Sequence, residues 1–414
     1  MTKPVVQIRL IKSISEVPAT AWDACAIGAS TPKVIDEDKL SPELSTRGQV
    51  HNPFVSHAFL SACEQSKSVG GRTGWQPSHL LVEDTEGALL AAAPCYVKSH
   101  SKGEYVFDQG WAEAFEHAGG DYYPKLQLSV PFTPVTGPRL LVRPKIGESP
   151  SANEIFGVLA DAVAEITTSN NLSSAHITFL PEQDWEALGK RGFLQRTDQQ
   201  FHWENAGYAT FEDFLAALSS RKRKTIRRER KEALAPGIEI AWLTGPDLTE
   251  EVWDAFFGFY MDTGSRKWGR PYLTREFFSI IGATMADRIL LVMAKRAGRW
   301  IAGAINFIGA DALYGRNWGA VEHHPFLHFE VCYYQAIEYA IARRLKWVEA
   351  GAQGEHKLAR GYLPHTTYSA HFIANPGLRR AVAEYLARER AYVEAAGEEL
   401  AAAAPFRKDL AEQE

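Results

Sequence analysis

Apolar side chains return at helical spacing along SHAFLSACEQS, residues 56–66, behind Ser56, whose hydroxyl suits a helix N-cap, so a helix is expected there. A Gly-rich turn follows. Then PSHLLVEDTEGALLAAAPCYVKSHSKGEYVFDQGW divides into HLLVED, ALLAAAPCYVK and EYVFDQGW, with turns at Glu86-Gly87 and Lys102-Gly103, which predicts a meander of three short strands. Residues 274–285, TREFFSIIGATM, repeat the capped helix, and RILLVMAKRAGRWIAGAINFIGADALYGRNWGA repeats the meander. The parallels keep their order: Leu80-Leu81-Val82 answers Leu290-Leu291-Val292, Gly87 answers Gly298, and Gly110-Trp111 answers Trp318-Gly319. Residues 153–180 and 328–350 both read helix, polar turn, strand. The pattern therefore predicts an internal duplication of helix, meander, helix and strand, each copy a domain of α/β (α+β) layers.

Between the copies, ATFEDFLAALSSRKRKTIRRERKEALAPGIEIAWLTG begins with Thr210 and Asp213 in capping-box spacing, and Phe211, Phe214, Leu215, Leu218 and Ile226 keep a helical stripe. Pro236-Gly237 stops it. One joining helix over 210–234 is expected, then a strand. TTYSAHFIAN reads as a further strand, and a Leu/Tyr-striped, Ala/Glu/Arg-rich segment predicts a C-terminal helix over 377–404. The expected domains are 1–205 and 206–414.

At 414 residues, 45% hydrophobic and 23% charged, the chain has the composition of a folded protein with large cores. The start, MTKPVVQIRLIKS, lacks the apolar stretch of a secretory signal, and no window approaches a membrane span, so a cytoplasmic protein is expected. Cys25, Cys63, Cys95 and Cys332 show no paired spacing, which argues against a disulfide framework and against a metal site. A net charge of −5 argues against a general nucleic-acid binder.

Local charge is distributed otherwise. RKRKTIRRERK holds eight cations against the single acid Glu229, and Arg223, Lys224, Arg227 and Arg228 are expected to bind an anion, whether a tRNA backbone, a coenzyme A phosphate or a pyrophosphate. GAQGEHKLARGYLP, 351–364, gathers a carboxylate, an imidazole, an amide and two cations among three glycines at the end of a strand. Glu355 or His356 is expected to take a proton from an incoming amine, with Gln353, Lys357 and Arg360 binding substrate. In the helix 328–344, Glu330 and Tyr334 lie beside the apolar stripe and are further substrate-binding candidates, as are His371, Trp318, and Tyr123 and Lys125 of the proline-rich YYPKLQLSVPFTPVTGPR. GSRKWGRPY offers Arg266, Lys267, Trp268 and Arg270 as weaker ones.

HNPFVSHAFLSACE (51–64), DYYPKLQLSVPFTPVTGPRLL (121–141), SRKRKTIRRERKEA (220–233) and the segment from FLHFEVCYYQAIEYAI to EAGAQGEHKLARGYLPHTTYSAH (326–371) resemble the FemAB-like branch of the GNAT acyltransferase superfamily. The resemblance implies tandem GNAT folds and transfer of an acyl or aminoacyl group to an amine of a small molecule or peptide, as in enzymes that build peptidoglycan precursors. It implies acyl-CoA or aminoacyl-tRNA as donor, and hence a possible tRNA partner. The chain departs from single-domain GNAT enzymes in lacking a clean Arg/Gln-x-x-Gly-x-Gly/Ala pyrophosphate loop; Arg316-Asn-Trp-Gly319-Ala-Val is the nearest approach. A non-catalytic protein that keeps the scaffold and binds a muropeptide-like or anionic ligand is the competing expectation.

Overall fold

The computed structural model describes residues 5–28, 52–144, 150–267, 271–351 and 354–407, without the side chains of 265–267 and 355. Two compact units emerge. Among the described residues, unit 1 holds the chain up to Asp198 together with Thr367–Glu394, and unit 2 holds Gln199–Thr366 and the chain from Ala395 onward.

In chain order the first stretch forms β1 (Gln7–Ile11), α1 (Ala19–Gly28), α2 (His57–Gln65), β2 (Trp75–Pro77), β3 (His79–Glu83), β4 (Leu89–Ala93), β5 (Cys95–Lys98), α3 (Gln109–His117), β6 (Lys125–Leu128), β7 (Leu141–Val142), α4 (Ala152–Ser169), β8 (Ser174–Leu180), α5 (Glu182–Lys190) and β9 (Leu194–Glu204). The second forms α6 (Phe211–Ala217), α7 (Ser220–Leu234), β10 (Ile238–Leu243), α8 (Glu250–Lys267), α9 (Arg275–Thr284), β11 (Ile289–Arg296), β12 (Arg299–Ile308), β13 (Ala312–Ala320), α10 (Leu327–Phe329), α11 (Gln335–Ala342), β14 (Trp347–Glu349), β15 (Leu363–Ile373) and α12 (Pro376–Ala402). The sequence signals act as read at several points. The Ser56 hydroxyl accepts from Phe59 N at 3.2 Å and the Thr274 hydroxyl from Phe277 N at 3.4 Å, each starting its helix. Gly87 and Gly298 take φ of 85° and 78° in the equivalent hairpins.

Both units repeat one order of elements. In unit 2, β10, β11, β12 and β13 run antiparallel, α10 and α11 cross over, and β14 returns parallel to β13. In unit 1, β1, β3 and β4 run antiparallel in one sheet, and β5 and β6 pair antiparallel in another. After α4, β8 returns parallel to β6. The last strand of each unit comes from elsewhere in the chain: β9 pairs antiparallel with β14 at residues 202–204, and β15 pairs antiparallel with β8 at residues 368–373.

Three expectations change. ALLAAAPCYVK is two strands, because Pro94 has no N–H to give a ladder; β4 pairs with β3 and β7, β5 with β2 and β6. EYVFDQGW is not a strand. Asp108 is held by Lys125 Nζ at 2.5 Å and by the Tyr122 hydroxyl at 2.7 Å, and the chain turns there into α3, so Gly110-Trp111 is helical while Trp318-Gly319 lies in β13. The joining helix is broken at Leu218, which is extended and bridges Phe406, while Ser219 N bonds Pro405 O at 3.0 Å.

The unit 1 core sets Leu126, Leu128, Ala175 and Ile177 against Ile155, Leu159 and Val163 of α4. Leu378, Val382 and Leu386 of α12 bury against Trp111 and Tyr122, about 1.5–3 kcal/mol of apolar burial each. This is why 367–394 belong to unit 1 although they follow unit 2 in the chain. In unit 2, Ile226 of α7 joins Leu290, Val292, Leu313, Ile337 and Val348.

The other face of β5, β6, β8 and β15 is buried yet polar. It carries Lys98, Lys125, Gln127, His176 and His371, all at 2% exposure or less. Lys125 Nζ is shared by Asp108, Glu104 at 2.7 Å and Ser101 at 2.9 Å, and Lys98 sits 3.6 Å above the Trp75 ring. His176 Nδ1 meets His371 Nδ1 at 2.8 Å, so one ring donates and the other accepts. Burial and Lys125 push His176 down to about 3, and burial also holds His371 well below its ordinary value.

Two outcomes are expected. A Cβ on Gly319 would meet the Phe259 carbonyl of α8 at 2.0 Å, so Gly319→Ala should destabilise by about 3 kcal/mol, read by thermal denaturation. His176 contributes a pH dependence of definite sign. Its folded pKa lies below the unfolded value, so the unfolded chain binds more protons below about pH 6.5 and stability falls as pH falls from 6.5 towards 3. At pH 5 the loss from this group is about 2 kcal/mol, and His176→Asn should lose that much less stability than wild type between pH 7 and pH 5 in denaturant titrations.

Candidate functional site

The site in unit 2 is built from α7 outward. Ile226 and Ala233 bury one face of this helix, leaving most of its cations towards solvent. Two neighbouring residues then lock it at two angles, since successive helical side chains point about 100° apart. Arg230 grips Glu330 through Nε at 3.0 Å and Nη2 at 2.8 Å, reaches Glu338 at 2.7 Å, and lies 4.5 Å above the Phe211 ring. Glu229, buried, accepts from Arg360 Nη2 at 2.8 Å and from the Tyr334 hydroxyl. Glu330–Tyr334 form one π-helical turn between α10 and α11. The wider turn lets consecutive Tyr333 and Tyr334 serve different partners, a frequent property of such turns at functional sites.

Arg360 is the centre of the arrangement. Besides Glu229 it donates Nη1 to His356 O at 2.7 Å, and its guanidinium lies 3.4 Å over the Phe329 ring. Its Nε has no hydrogen-bond partner among the described residues and is buried. Arg360 and Ala359 form one wall of a cleft of about 410 Å³ whose other wall is α7 through Arg221, Lys222, Thr225, Ile226, Arg228 and Glu229. Four cations face one carboxylate, and that carboxylate is already engaged by Arg360 and Tyr334. Burial drives the Tyr334 phenol well above its ordinary pKa, so it stays protonated and donates.

The glycine-flanked segment wraps this cation. Gly351, Gly354 and Gly361 take φ of 79°, 116° and 88°, turning the chain out of β14 into a 3-10 turn over Glu355–Arg360 and then into β15. Lys357 is buried, and its Nζ ties down the carbonyls of Ala350 at 2.6 Å and Gly351 at 2.8 Å; burial pushes it down to about 8. His356 is exposed, with Nε2 2.9 Å from the Tyr333 hydroxyl. Trp318, His328, Phe329 and Tyr333 continue from it as a chain of ring contacts between 5.3 and 6.2 Å.

The residues expected from sequence divide accordingly. His356, Lys357, Arg360, Tyr334, Glu330, Trp318 and Arg228 gather in unit 2. Glu330 and Tyr334 brace Arg230 and Glu229 and do not line the cleft. Arg223 reaches Ala216 O at 3.4 Å, Arg227 pairs with Glu212, and Lys224 is exposed; none of the three lines the cleft. Lys125 and His371 lie in the polar interior of unit 1, and the Tyr123 hydroxyl meets Ser101 at 2.8 Å beside them. Gln353, the Glu355 side chain, Trp268, Arg270 and the side chains of Arg266 and Lys267 lie outside the described residues. Sequence reasoning passed over Arg221, Lys222 and above all Glu229. The one acid in a run of cations was the signal, because an acid kept there has specific partners. Gly319, the nearest sequence match to a pyrophosphate-loop glycine, serves instead the close approach of α8 to β13. Among the described residues no helix is long and apolar enough to cross a membrane, and no group of acidic, His and Cys side chains is arranged to hold a metal.

The fold has counterparts among known proteins. FemX aligns over 91% of this chain and 100% of its own at 12% identity and a TM-score of 0.51, and it shares the layered α/β fold. A tandem GNAT protein from the clavulanic acid biosynthesis pathway covers 90% of this chain and 99% of its own at 10% identity and a TM-score of 0.45. L-PGS from Bacillus licheniformis covers 79% and 95% at 8% identity and 0.47. No curated protein matches by sequence. The FemAB-like family of peptidoglycan biosynthesis and recognition matches residues 13–408, nearly the whole length, and the chain belongs to that family.

Proposed function

We propose that the protein is an acyl- or aminoacyltransferase that holds a phosphate-bearing substrate in the cleft between α7 and Arg360 and forms an amide on an amine. The observation that carries this reading is the cleft's charge, four cations against a carboxylate that is already engaged by Arg360 and Tyr334. The α7 terminus adds to it. Arg221, Lys222 and Arg223 stand in the first turn with no acid among them, and like charge at the positive end of a helix dipole is relieved by a bound anion. An RNA backbone, a coenzyme A phosphate and a pyrophosphate-bearing precursor all satisfy this chemistry.

His356 is the proposed base. In the transfer, the amine nitrogen attacks the acyl carbon, the ester or thioester bond to the donor breaks, and the nitrogen's proton passes to the imidazole. Tyr333 would orient that ring: burial holds its phenol protonated, so it remains a hydrogen-bonding partner rather than a competing anion. Arg360 would fix the donor or acceptor by its phosphate, so that positioning supplies much of the rate. A ligand-binding protein without turnover is the second reading. The commitment of Lys357 to two backbone carbonyls favours it, since that cation is taken up by the loop itself.

Inorganic pyrophosphate titrated calorimetrically should bind the wild type with an affinity that falls with salt. Arg360→Gln should weaken it about tenfold, the scale of one charge-assisted hydrogen bond, while Lys224→Gln outside the cleft should not. Product formation from acyl-CoA or charged tRNA and a panel of amines, followed by mass spectrometry, separates the two readings. If transfer occurs, His356→Ala should cost about a hundredfold in turnover with an unchanged melting temperature, because its side chain is exposed.

A further inference from the structure

A carboxylate in an anion-binding cleft is an anomaly, since in a partly buried site it repels the ligand the neighbouring cations attract. Glu229 nevertheless lines the cleft and is buried. Its two oxygens are divided: Oε1 takes Arg360 Nη2 and Oε2 takes the Tyr334 hydroxyl. With Nη2 fixed on Glu229, Nη1 on His356 O and the guanidinium plane on Phe329, the Arg360 fork is held in one orientation. We infer that Glu229 is a positioning residue for anion binding: it holds the Arg360 guanidinium in place at the wall of the cleft, where it acts on an oxyanion, and this gain exceeds the repulsion of its own charge. Tyr334 completes the device by donating to the other oxygen of the carboxylate.

This inference rests on the reading of the cleft as an anion site, and the two can fail separately. The test is pyrophosphate affinity, by calorimetry at fixed salt, in the wild type, Glu229→Gln, Tyr334→Phe, Arg360→Gln and the Glu229→Gln/Arg360→Gln double variant. Charge alone predicts that Glu229→Gln, which removes a negative charge from a cationic cleft, binds more tightly. Positioning predicts the opposite, a loss of about tenfold. It also predicts that the sign reverses in the Arg360→Gln background, where nothing remains to be positioned and the same substitution tightens binding. A merely structural role for Glu229 lowers the melting temperature without producing that reversal. Tyr334→Phe keeps every charge and is expected to weaken binding severalfold; it carries the test should Glu229→Gln not fold. If the wild type binds pyrophosphate and Glu229→Gln binds equally or better, the positioning role is overturned and the anion site stands. If the wild type does not bind pyrophosphate, both fall.

Discussion

The guanidinium of Arg360 is the constraint on which the unit 2 site depends. It is planar, permanently charged and buried, so every contact it makes fixes the others. A carboxylate from α7, a carbonyl from the 3-10 turn and an aromatic face from the helix preceding α11 converge on it. Each of these comes from a different part of the chain, so the cation fastens the glycine-flanked segment to α7. The φ of 88° at Gly361 lets the chain leave for β15 directly afterwards. Arg230, one position on from Glu229, fastens the same helix to the π-helical turn through Glu330. With α7 held at two angles, the direction in which Arg221, Lys222 and Arg228 project is decided.

The two units follow one plan and spend their charges differently. In unit 1 the charges of the polar sheet face are buried and paired with one another: Lys98 and Lys125 lie against Glu104 and Asp108, and the two histidines meet each other, although Asp108 Oδ1, Gln127 Oε1 and His371 Nε2 have no hydrogen-bond partner among the described residues. Removing one member of such a set leaves a buried charge uncompensated, which is costly, whereas the complete set is close to neutral in its effect on stability. In unit 2 the pairing is incomplete. Arg360 pairs with Glu229 and Arg228 lies 3.6 Å from Glu232, but Arg221, Lys222 and Arg228 also line an open cleft. That cationic cleft is why the functional reading belongs to unit 2.

Much of the fold was written in local signals. Ser56 and Thr274 capped their helices, Gly87 and Gly298 turned their hairpins, and Leu80-Leu81-Val82 and Leu290-Leu291-Val292 occupy equivalent strands. What escaped the reading depends on distant partners. The break at Leu218 is made by Phe406, the helical turn at Asp108 by Lys125 and Tyr122, and the last strand of each unit by pairing far along the chain. The site divides in the same way. The segment 351–364 and the basic run stood out by composition, but which cations share a cleft follows from the helical face of α7, and Glu229 finds its partners 105 and 131 residues away. Lys125 and His371 were singled out by residue type, and their burial could not be read from neighbours in sequence.

A crystal structure of the protein soaked with pyrophosphate tests the central claim most directly. The account predicts an anion between α7 and the 3-10 turn, with a phosphate oxygen within hydrogen-bond distance of the Arg360 guanidinium and further contacts to Arg221, Lys222 or Arg228. An anion seated instead against Arg223, Lys224 and Arg227 on the other faces of α7, away from the Arg360 guanidinium, would contradict it.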